Sequence, residues 1–487
     1  MPSAVATERD VTQKMFRELE RIVGKSHVVG NATERRKSER RKSKRKNQQE
    51  RKTFAAQLAD YAIDGVVPTA VLLPGSEEEI AAILRLACDN DYVVVPCGAL
   101  TKREFGAVPE RVDILLKMDR MNKLLHYDAG DLTLGVGAGM TVAEVQAILA
   151  KNSQFLPLDP MLPERATIGG VLAANANGPM RSGFGGLRDY CIGINFVTGH
   201  GKIAKGGGKV VKNVAGYDLM KLMIGSMGTL GVITSANFKV FPLPNKTCTF
   251  ICECEDLTAA ATLRDGIVAS PLAPMCLEMV SPRAHEYLSG KTDVRDPDDY
   301  APLKRMDPGT AWSVVLRAGG SEIVLKRYRG ELGEAATREL QGKDEITFWR
   351  RLADFEDAIF ARHRNAMVMN VSVGPAGVSQ AYEAAEHSAV EHNLLGACVG
   401  RAAIGSLVFA FMPLGVDPPS AMQFANVASS LRGRLPRGSS AVVVRCPREA
   451  KERFDVWGST ANDLELMRGV RNVMDPNKVL NRGRFIV

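Results

Sequence analysis

The chain has 487 residues, of which 45% are hydrophobic and 24% charged, which is ordinary for a soluble protein of two or three domains. No apolar run approaches the roughly 18 residues of a membrane helix, so the sequence excludes a membrane span. The N-terminus lacks a basic-then-apolar secretory signal, and we expect a cytoplasmic protein. The nine cysteines include no C-x-x-C pair, so we predict reduced thiols and no metal site.

The net charge of +8 arises from a single segment. Between Glu34 and Lys52, eleven Lys or Arg residues stand against three Glu, which already gives a net charge of +8. The rest of the chain is neutral overall, so no nucleic-acid-binding body is expected. We interpret residues 34–52 as an exposed basic arm, with attraction to an acidic partner, nucleic acid or an anionic membrane as the alternative.

The first half of the chain alternates helices and strands. Residues 11–29 read as a helix followed by a short extended piece. From Ala70 the pattern predicts a strand, a helix at 76–90 and a second strand ending near Pro96. Ser76 and Glu79 form a capping-box signature at the start of that helix. Strands near 112–118 and 132–139 and a helix at 141–152 follow.

The stretch from Ala166 to Ile233 is rich in glycine between short apolar runs. Glycine destabilises the interior of regular elements by roughly 0.5–1 kcal/mol. This density therefore predicts turns with positive φ, or backbone brought close against a ligand.

After Pro244 strand-like and helix-like segments alternate again. Helices are predicted near 321–332, 346–362, 377–394 and 419–432, and a last helix precedes the tail Asp475–Val487. The pattern indicates a second α+β domain on a mainly antiparallel sheet. We divide the chain into an N-terminal helix and basic arm (1–52), a first domain (53–244) and a second domain (245–487).

Three blocks of the first domain carry a family resemblance. They are PCGALTKREFG (96–106), the A-T-I-G-G block at 166–186, and AGYDLMKLMIGSMGTLGVI (215–233). Together they make residues 66–244 similar to the FAD-binding domain of the vanillyl-alcohol oxidase, or PCMH-type, family. The resemblance implies two α+β subdomains, at about 53–122 and 123–244, with FAD extended between them.

The resemblance also implies which residues contact the cofactor. Gly-rich turns can present backbone amides to a pyrophosphate. Where the family has Gly-x-Gly, this chain has Gly98-Ala99-Leu100, and Leu100 is expected to crowd the phosphate and reduce affinity. No histidine stands at the family's flavin-attachment positions, so noncovalent FAD is predicted. The implied FAD-binding residues are Cys97, Gly98, Ala99, Leu100, Thr101, Lys102, Pro160, Thr167, Ile168, Gly169, Gly170, Ala174, Asn177, Gly178, Ser182, Gly183, Gly185, Gly228, Ile233 and Asn481.

The second domain resembles the cap of FAD-linked oxidases that act on 2-hydroxy acids. The ending VRNVMDPNKVLNRGRFIV is similar to that group's D-P-x-x-x-L-N-P-G-R, and its 474–487 tail is expected to return to the flavin domain. Segments such as FWRRL (348–352) and FDVWG (454–458) most resemble the FAD-binding subunits of glycolate oxidases. This implies partners: a catalytic flavin subunit and an iron–sulfur subunit, with peripheral attachment to the inner membrane through them.

The catalytic residues stay open. Related dehydrogenases carry a histidine-rich metal segment that residues 396–402 lack, and Asn370 stands where the group has an arginine. Hydride transfer from a 2-hydroxy acid to flavin N5 needs a base and a cation for the carboxylate. Candidate cations are Arg362, Arg364 and Arg401, and His363 is a candidate base.

Three functions follow from these observations. The first is an FAD-binding oxidoreductase acting on CH–OH groups as a subunit of a glycolate oxidase-like complex. The second is a self-sufficient FAD dehydrogenase of D-lactate or another 2-hydroxy or sugar acid. The third is a flavin-free structural subunit in which Ala99-Leu100 has abolished binding.

Overall fold

The computed structural model describes residues 8–30, 58–209, 217–288, 311–415, 417–458 and 463–486. The predicted basic arm at 34–52 lies outside these ranges, and so do residues 210–216, the last two of which begin the third block at 215–233. No helix within them has the length and apolar character needed to cross a membrane.

The first layer is a four-stranded sheet of order β1-β2-β4-β3. Strand β1 pairs antiparallel with β2, whereas β2, β4 and β3 are parallel. Its strands are β1 (Val28–Val29), β2 (Ala70–Leu72), β3 (Val94–Cys97) and β4 (Ile114–Lys117), and its helices are α1 (Glu8–Val23) and α2 (Glu77–Asn90). Helix α1 therefore belongs to the same packed unit as the first strands, because its neighbour β1 is part of their sheet.

Helix α2 begins at the predicted cap. The Ser76 hydroxyl accepts a hydrogen bond from the Glu79 N–H at 3.2 Å. The Glu79 carboxylate, however, accepts from the N–H of Gly75 at 2.7 Å and not from Ser76. The predicted N-cap hydrogen bond is therefore present. The reciprocal bond to the Glu79 carboxylate comes from Gly75, one residue before the predicted donor Ser76.

The second layer is a five-stranded antiparallel sheet of order β5-β6-β10-β8-β9. It begins at residue 124, beside the predicted subdomain boundary. Its strands are β5 (Leu124–Asp128), β6 (Thr133–Gly137), β8 (Cys191–Thr198), β9 (Ile203–Gly207) and β10 (Gly231–Lys239). Its helices are α3 (Val142–Ala150), α4 (Ile168–Ala174), α5 (Arg181–Phe184), α6 (Leu187–Tyr190) and α7 (Leu219–Met223), and β7 (Gln154–Phe155) pairs with β11 (Phe241–Pro242).

The glycine-rich stretch contains more regular structure than its composition predicts. Gly169 and Gly170 lie inside helix α4, and Gly193 and Gly231 lie inside strands β8 and β10. A Cβ atom on Gly169 would lie 2.8 Å from the Ala138 side chain, and one on Gly193 would lie 2.5 Å from the Gly208 carbonyl. These glycines are required by close packing between elements, so the prediction that they mark turns was wrong there.

The second domain is built on an eight-stranded antiparallel sheet of order β15-β12-β14-β13-β17-β18-β16-β19. Its strands are β12 (Lys246–Cys254), β13 (Cys276–Val280), β14 (Trp312–Gly320), β15 (Arg338–Leu340), β16 (Met367–Ser372), β17 (Leu394–Arg401), β18 (Ser406–Pro413) and β19 (Ser440–Arg445). The α+β class and the antiparallel second sheet are confirmed. Strand β17, at the centre of the sheet, was not predicted.

Helices cover this sheet on both faces. One face packs on α8 (Leu257–Ala269), α10 (Glu322–Leu332), α13 (Val378–Glu391) and α14 (Ala421–Arg434). The other is partly covered by α9 (His285–Leu288), α11 (Gly342–Ala353) and α12 (Phe355–Arg362). The single helix predicted near 346–362 is thus two helices. They divide at Asp354, whose carboxylate accepts hydrogen bonds from Arg350 at 2.6 Å and from the N–H of Leu162 at 2.7 Å.

The C-terminal tail lies against the first layer. After α15 (Arg448–Lys451) and α16 (Leu464–Met474), the N–H of Val94 donates to the carbonyl of Val479 at 2.8 Å. The N–H of Asn481 donates back to the carbonyl of Val94 at 3.0 Å. Residues 479–481 therefore lie beside β3, at the edge of the first-layer sheet.

Asp475 holds this tail in place. Its fully buried carboxylate accepts from the N–H groups of Val479 at 3.0 Å and Leu480 at 2.9 Å. We expect Asp475→Ala to lower the free energy of unfolding by about 2–4 kcal/mol, because two buried N–H groups lose their acceptor. Urea unfolding followed by circular dichroism measures this, with the exposed Glu465→Ala as control. Equal stability of the two variants would contradict it.

Candidate functional site

The turn after β3 presents unpaired backbone amides. In the described part of the chain, the N–H groups of residues 99–102 donate to no acceptor. Residues 99–102 are half-buried, so these amides remain free to bind a ligand or water. Successive N–H groups in a turn form a concavity suited to an anion such as a pyrophosphate.

Gly98 brings this turn onto the start of helix α4. Thr167 caps that helix, accepting a hydrogen bond from the N–H of Gly170 at 3.4 Å. A Cβ atom on Gly98 would lie 1.9 Å from the Thr167 hydroxyl oxygen. Only glycine permits this approach, which joins the two subdomains at the turn.

Leu100 adopts the conformation that the missing glycine would adopt. Its φ is 62°, in the left-handed region that costs a side-chain-bearing residue roughly 1–2 kcal/mol. Its side chain packs beside a small core that includes Ile63 and Val95. Leu100 therefore has a backbone conformation that glycine favours, and it adds a side chain at the edge of the concavity.

Asn481 closes the site from the C-terminal tail. Its side-chain N–H donates to the carbonyl of Met227 at 2.7 Å, while its buried Oδ1 has no partner in the described residues. Gly228 has a φ of 66°, and a Cβ atom there would lie 3.0 Å from the Asn481 amide nitrogen. Asn481 thus leaves one acceptor free beside the turn.

Two cavities meet at this point. The first, which we call the turn cavity, encloses about 740 Å³ including its mouth and is lined by residues 97–103 of the turn. The second, the sheet cavity, encloses about 1270 Å³ beneath the eight-stranded sheet. Both are lined by Lys102, Pro160, Met161, Ala174 and Ala176, so the space is continuous.

The structure brings most of the predicted cofactor residues to this space. Those lining the turn cavity are Cys97, Gly98, Ala99, Leu100, Thr101, Lys102, Pro160, Thr167, Gly170, Ala174 and Asn481. A smaller cavity behind the turn is lined by Gly169, Gly228 and Ile233, and the sheet cavity by Asn177 and Gly178. Lys102 also pairs with Glu356 of the second domain.

Four predicted residues stand apart from these cavities. Ile168 is fully buried in the core. Ser182 has a buried hydroxyl without a described partner. A Cβ atom on Gly183 would lie 2.7 Å from the carbonyl of Met275, and Gly185, with φ of 78°, lies against Asp189. Gly183 therefore serves the packing of the two domains.

Four charged side chains lie together in the sheet cavity, apart from the Lys102–Glu356 ion pair that also lines it. Glu278 on β13 and Arg401 on β17 are directly opposed cross-strand partners. Asp159 and Arg181 line the same cavity from the first domain. Within the described residues, Glu278 Oε1, Arg401 Nε and Asp159 Oδ1 are buried atoms without a hydrogen-bond partner. Such unpaired polar atoms favour a bound polar molecule.

Burial governs the protonation of these groups. It raises the pKa of Asp159 to about 7, against the lowering effect of a 2.9 Å hydrogen bond from the Met180 N–H. It raises the pKa of Glu278 to about 8, although the charge of Arg401 lowers it. Burial, and then the like charge of Arg401, lower the pKa of Arg181. The two carboxyls thus change protonation close to neutral pH.

The candidate catalytic residues lie in different parts of the structure. Arg401 and Asn370 line the sheet cavity. His363 instead shares a 2.9 Å hydrogen bond with the Tyr287 hydroxyl, and Arg362 lies 4.9 Å from the Tyr287 ring centre. Arg364 is exposed and lines neither cavity. In the described ranges no group of three His, Cys, Asp or Glu side chains could hold a metal ion.

Sequence patterns did not indicate Asp159, Glu278 or Arg181. Glu278 carries a usable signal, because it is a charged residue inside the otherwise apolar strand CLEMV. Asp159 and Arg181 lie in segments without periodicity, and no local pattern distinguishes them from surface charges.

Residues 68–207 match the family model described as "FAD binding domain". The free amides of the turn, the glycine approach and the Asn481 acceptor fit that cofactor. The chain contains a PCMH-type FAD-binding domain. Its cofactor is FAD, and its relatives are FAD-linked oxidoreductases.

Two curated relatives are components of glycolate oxidases. The protein named glycolate oxidase subunit GlcD, from Bacillus subtilis, is 35% identical over 214 residues, covering 44% of this chain and 46% of that protein. The one named GlcE, from Escherichia coli, is 42% identical over 122 residues, covering 25% of this chain and 35% of that protein. These matches span less than half of each relative's length.

A solved structure extends the likeness of the fold to the whole chain. p-Cresol methylhydroxylase with substrate bound superposes with a TM-score of 0.72 at 14% identity, covering 99% of this chain and 98% of that one. At this identity the similarity shows the fold alone.

We expect Gly98→Ala to weaken FAD binding at least about tenfold, because the added methyl separates the turn from Thr167 and displaces the amides. Isothermal titration of the apoprotein with FAD measures the affinity. Gly208→Ala is the matched control, since a Cβ atom there meets no atom of the described residues within 4 Å. Similar losses in both variants would contradict the role of this contact.

We expect Leu100→Gly to bind FAD several-fold more tightly, because the turn loses a strained side chain at the edge of the concavity. Leu100→Ala retains the positive φ with a smaller side chain and should fall between wild type and glycine. An affinity unchanged across the series would show that Leu100 does not crowd the cofactor.

Proposed function

We propose that the protein oxidises a small 2-hydroxy acid with FAD, as the FAD-binding subunit of a glycolate oxidase-like complex. The observation that carries the proposal is the sheet cavity, where two arginines and two buried carboxyls converge in space continuous with the turn cavity. The likeness to glycolate oxidase subunits supports both the substrate class and the complex.

In this proposal the turn and tail hold the cofactor. The N–H groups of residues 99–102 would donate to the pyrophosphate, and Asn481 Oδ1 would accept from an N–H or hydroxyl of the cofactor. The small side chains of Ala174 and Ala176, at the junction of the cavities, leave room for a flat ring. The other predicted residues of the turn and helix α4 complete the walls.

Bound FAD supplies an acceptor for the hydride leaving the α-carbon, at flavin N5. The chain's own residues supply the rest. Arg401 and Arg181 bind the substrate carboxylate through charge-assisted hydrogen bonds. Asp159 Oδ1, which has no described partner, takes the hydroxyl proton as the carbonyl forms, so the product is a 2-oxo acid.

A second candidate is a dehydrogenase that works without partners. It is favoured by the presence of both the cofactor space and the charged set within one chain. The flavin-free alternative is disfavoured, because the amides of residues 99–102 have no acceptor among the described residues and Leu100 adopts the positive φ that glycine favours.

Anaerobic absorbance spectra test these functions. The purified FAD-loaded chain is mixed with glycolate or D-lactate, alone and after co-expression with candidate flavin and iron–sulfur subunits. Bleaching only in the complex supports the first candidate, and bleaching of the lone chain supports the second. Bands that persist in both preparations would contradict both.

We expect the rate of flavin reduction to rise with pH through about 7 and then level, because only ionised Asp159 accepts a proton. Asp159→Asn should lower the rate at least about hundredfold and abolish this rise. Stopped-flow absorbance over about two pH units on either side of neutrality measures both effects. A variant that retains the wild-type pH profile would exclude Asp159 as the base.

A further inference from the structure

The roof of the sheet cavity carries one continuous row of polar side chains. Glu278 on β13 opposes Arg401 on β17, and Arg401 opposes Ser406 on β18. Ser406 opposes Ser372 on β16, which in turn opposes Ser440 on β19. Five neighbouring strands thus contribute one polar residue each at the same register, and all five line the cavity.

The next row on the same face is mostly apolar. It consists of Val399, Val408, Asn370 and Val442, which are also mutual cross-strand partners. Side chains on one strand face alternate with period two, so the two rows run side by side across the roof. The hydroxyls therefore form a defined line beside an apolar strip.

The row has a charged, buried end and a hydroxyl-bearing, open end. Glu278 is 1% exposed, whereas Ser372 and Ser440 are exposed. An Arg401 guanidinium N–H donates to the Ser406 hydroxyl at 3.2 Å, so the charged group reaches the first serine. Neighbouring strands lie about 4.8 Å apart, and the three serines therefore span about 10 Å.

We propose that the cavity takes a 2-hydroxy acid whose carbon chain carries further hydroxyl groups, of the aldonic-acid class. Its carboxylate lies at Arg401, and its distal hydroxyls exchange hydrogen bonds with Ser372 and Ser440. This rests on the proposed function, and it names the substrate class of the same site. A two-carbon acid held at Arg401 reaches neither of the distal serines that line the cavity.

The test compares a long and a short acid on the FAD-loaded full chain. Isothermal titration with D-gluconate and with glycolate, with no electron acceptor present, gives the two dissociation constants. The variant is Ser372→Ala combined with Ser440→Ala. Ser439→Ala is the control, because Ser439 adjoins strand β19 without lining the cavity.

Wild type should bind D-gluconate more tightly than glycolate. The double variant should weaken D-gluconate binding about tenfold or more and change glycolate binding less than about twofold, since two hydrogen bonds are lost only with the long acid. Equal affinities for the two acids, or a double variant that behaves like Ser439→Ala, would overturn the proposal.

Failure of the proposed oxidation and failure of the long-acid assignment give different experimental results. If serine-dependent D-gluconate binding is found while no 2-hydroxy acid bleaches the flavin, the binding assignment holds and the oxidation is wrong. If glycolate bleaches the flavin and D-gluconate shows no serine-dependent binding, oxidation holds and the long-acid assignment is wrong.

Discussion

The contact between Gly98 and Thr167 holds the turn after β3 against the start of helix α4. No side chain fits between them, so the turn of one subdomain lies directly against the helix start of the other. The amides of residues 99–102 face the cavity without acceptors among the described residues. The C-terminal tail completes this arrangement through Asn481, which is itself held by the buried Asp475 anchor. The anion-binding concavity thus depends on three distant parts of the chain.

The second domain places ionisable side chains beside the turn cavity. Its sheet has one face packed on helices and another that is only partly covered, and the uncovered part becomes the roof of a cavity. Burial beneath that roof brings the pKa of Asp159 to about 7 and that of Glu278 to about 8. Beside Arg181 and Arg401, these carboxyls can exchange protons with a bound acid at neutral pH.

Sequence patterns predicted the parts of the fold that repeat locally. Periodicity and capping predicted the helix after Ser76 and the antiparallel second domain. The three blocks at 96–106, 166–186 and 215–233 indicated the FAD domain through their family resemblance. Strand β17 was not predicted, because Gly396 and Gly400 interrupt its apolar pattern. In the structure it pairs with both of its neighbours along the sheet. Helix α4 was not predicted, because Gly169 has a low helix propensity. The helix forms because Gly169 packs closely against Ala138.

By itself the sequence predicted the FAD domain and most of the residues that line its cavity, through its resemblance to the PCMH-type family. That resemblance is local, because close backbone approach requires glycine at particular positions in short segments. Only the tertiary structure decided the lining of the sheet cavity. Glu278, Arg401 and the three serines lie on five strands between β13 and β19, and hydrogen-bonded register across the sheet aligns them. Register across a sheet is a long-range property, set by the packing of whole strands, so no local pattern records it.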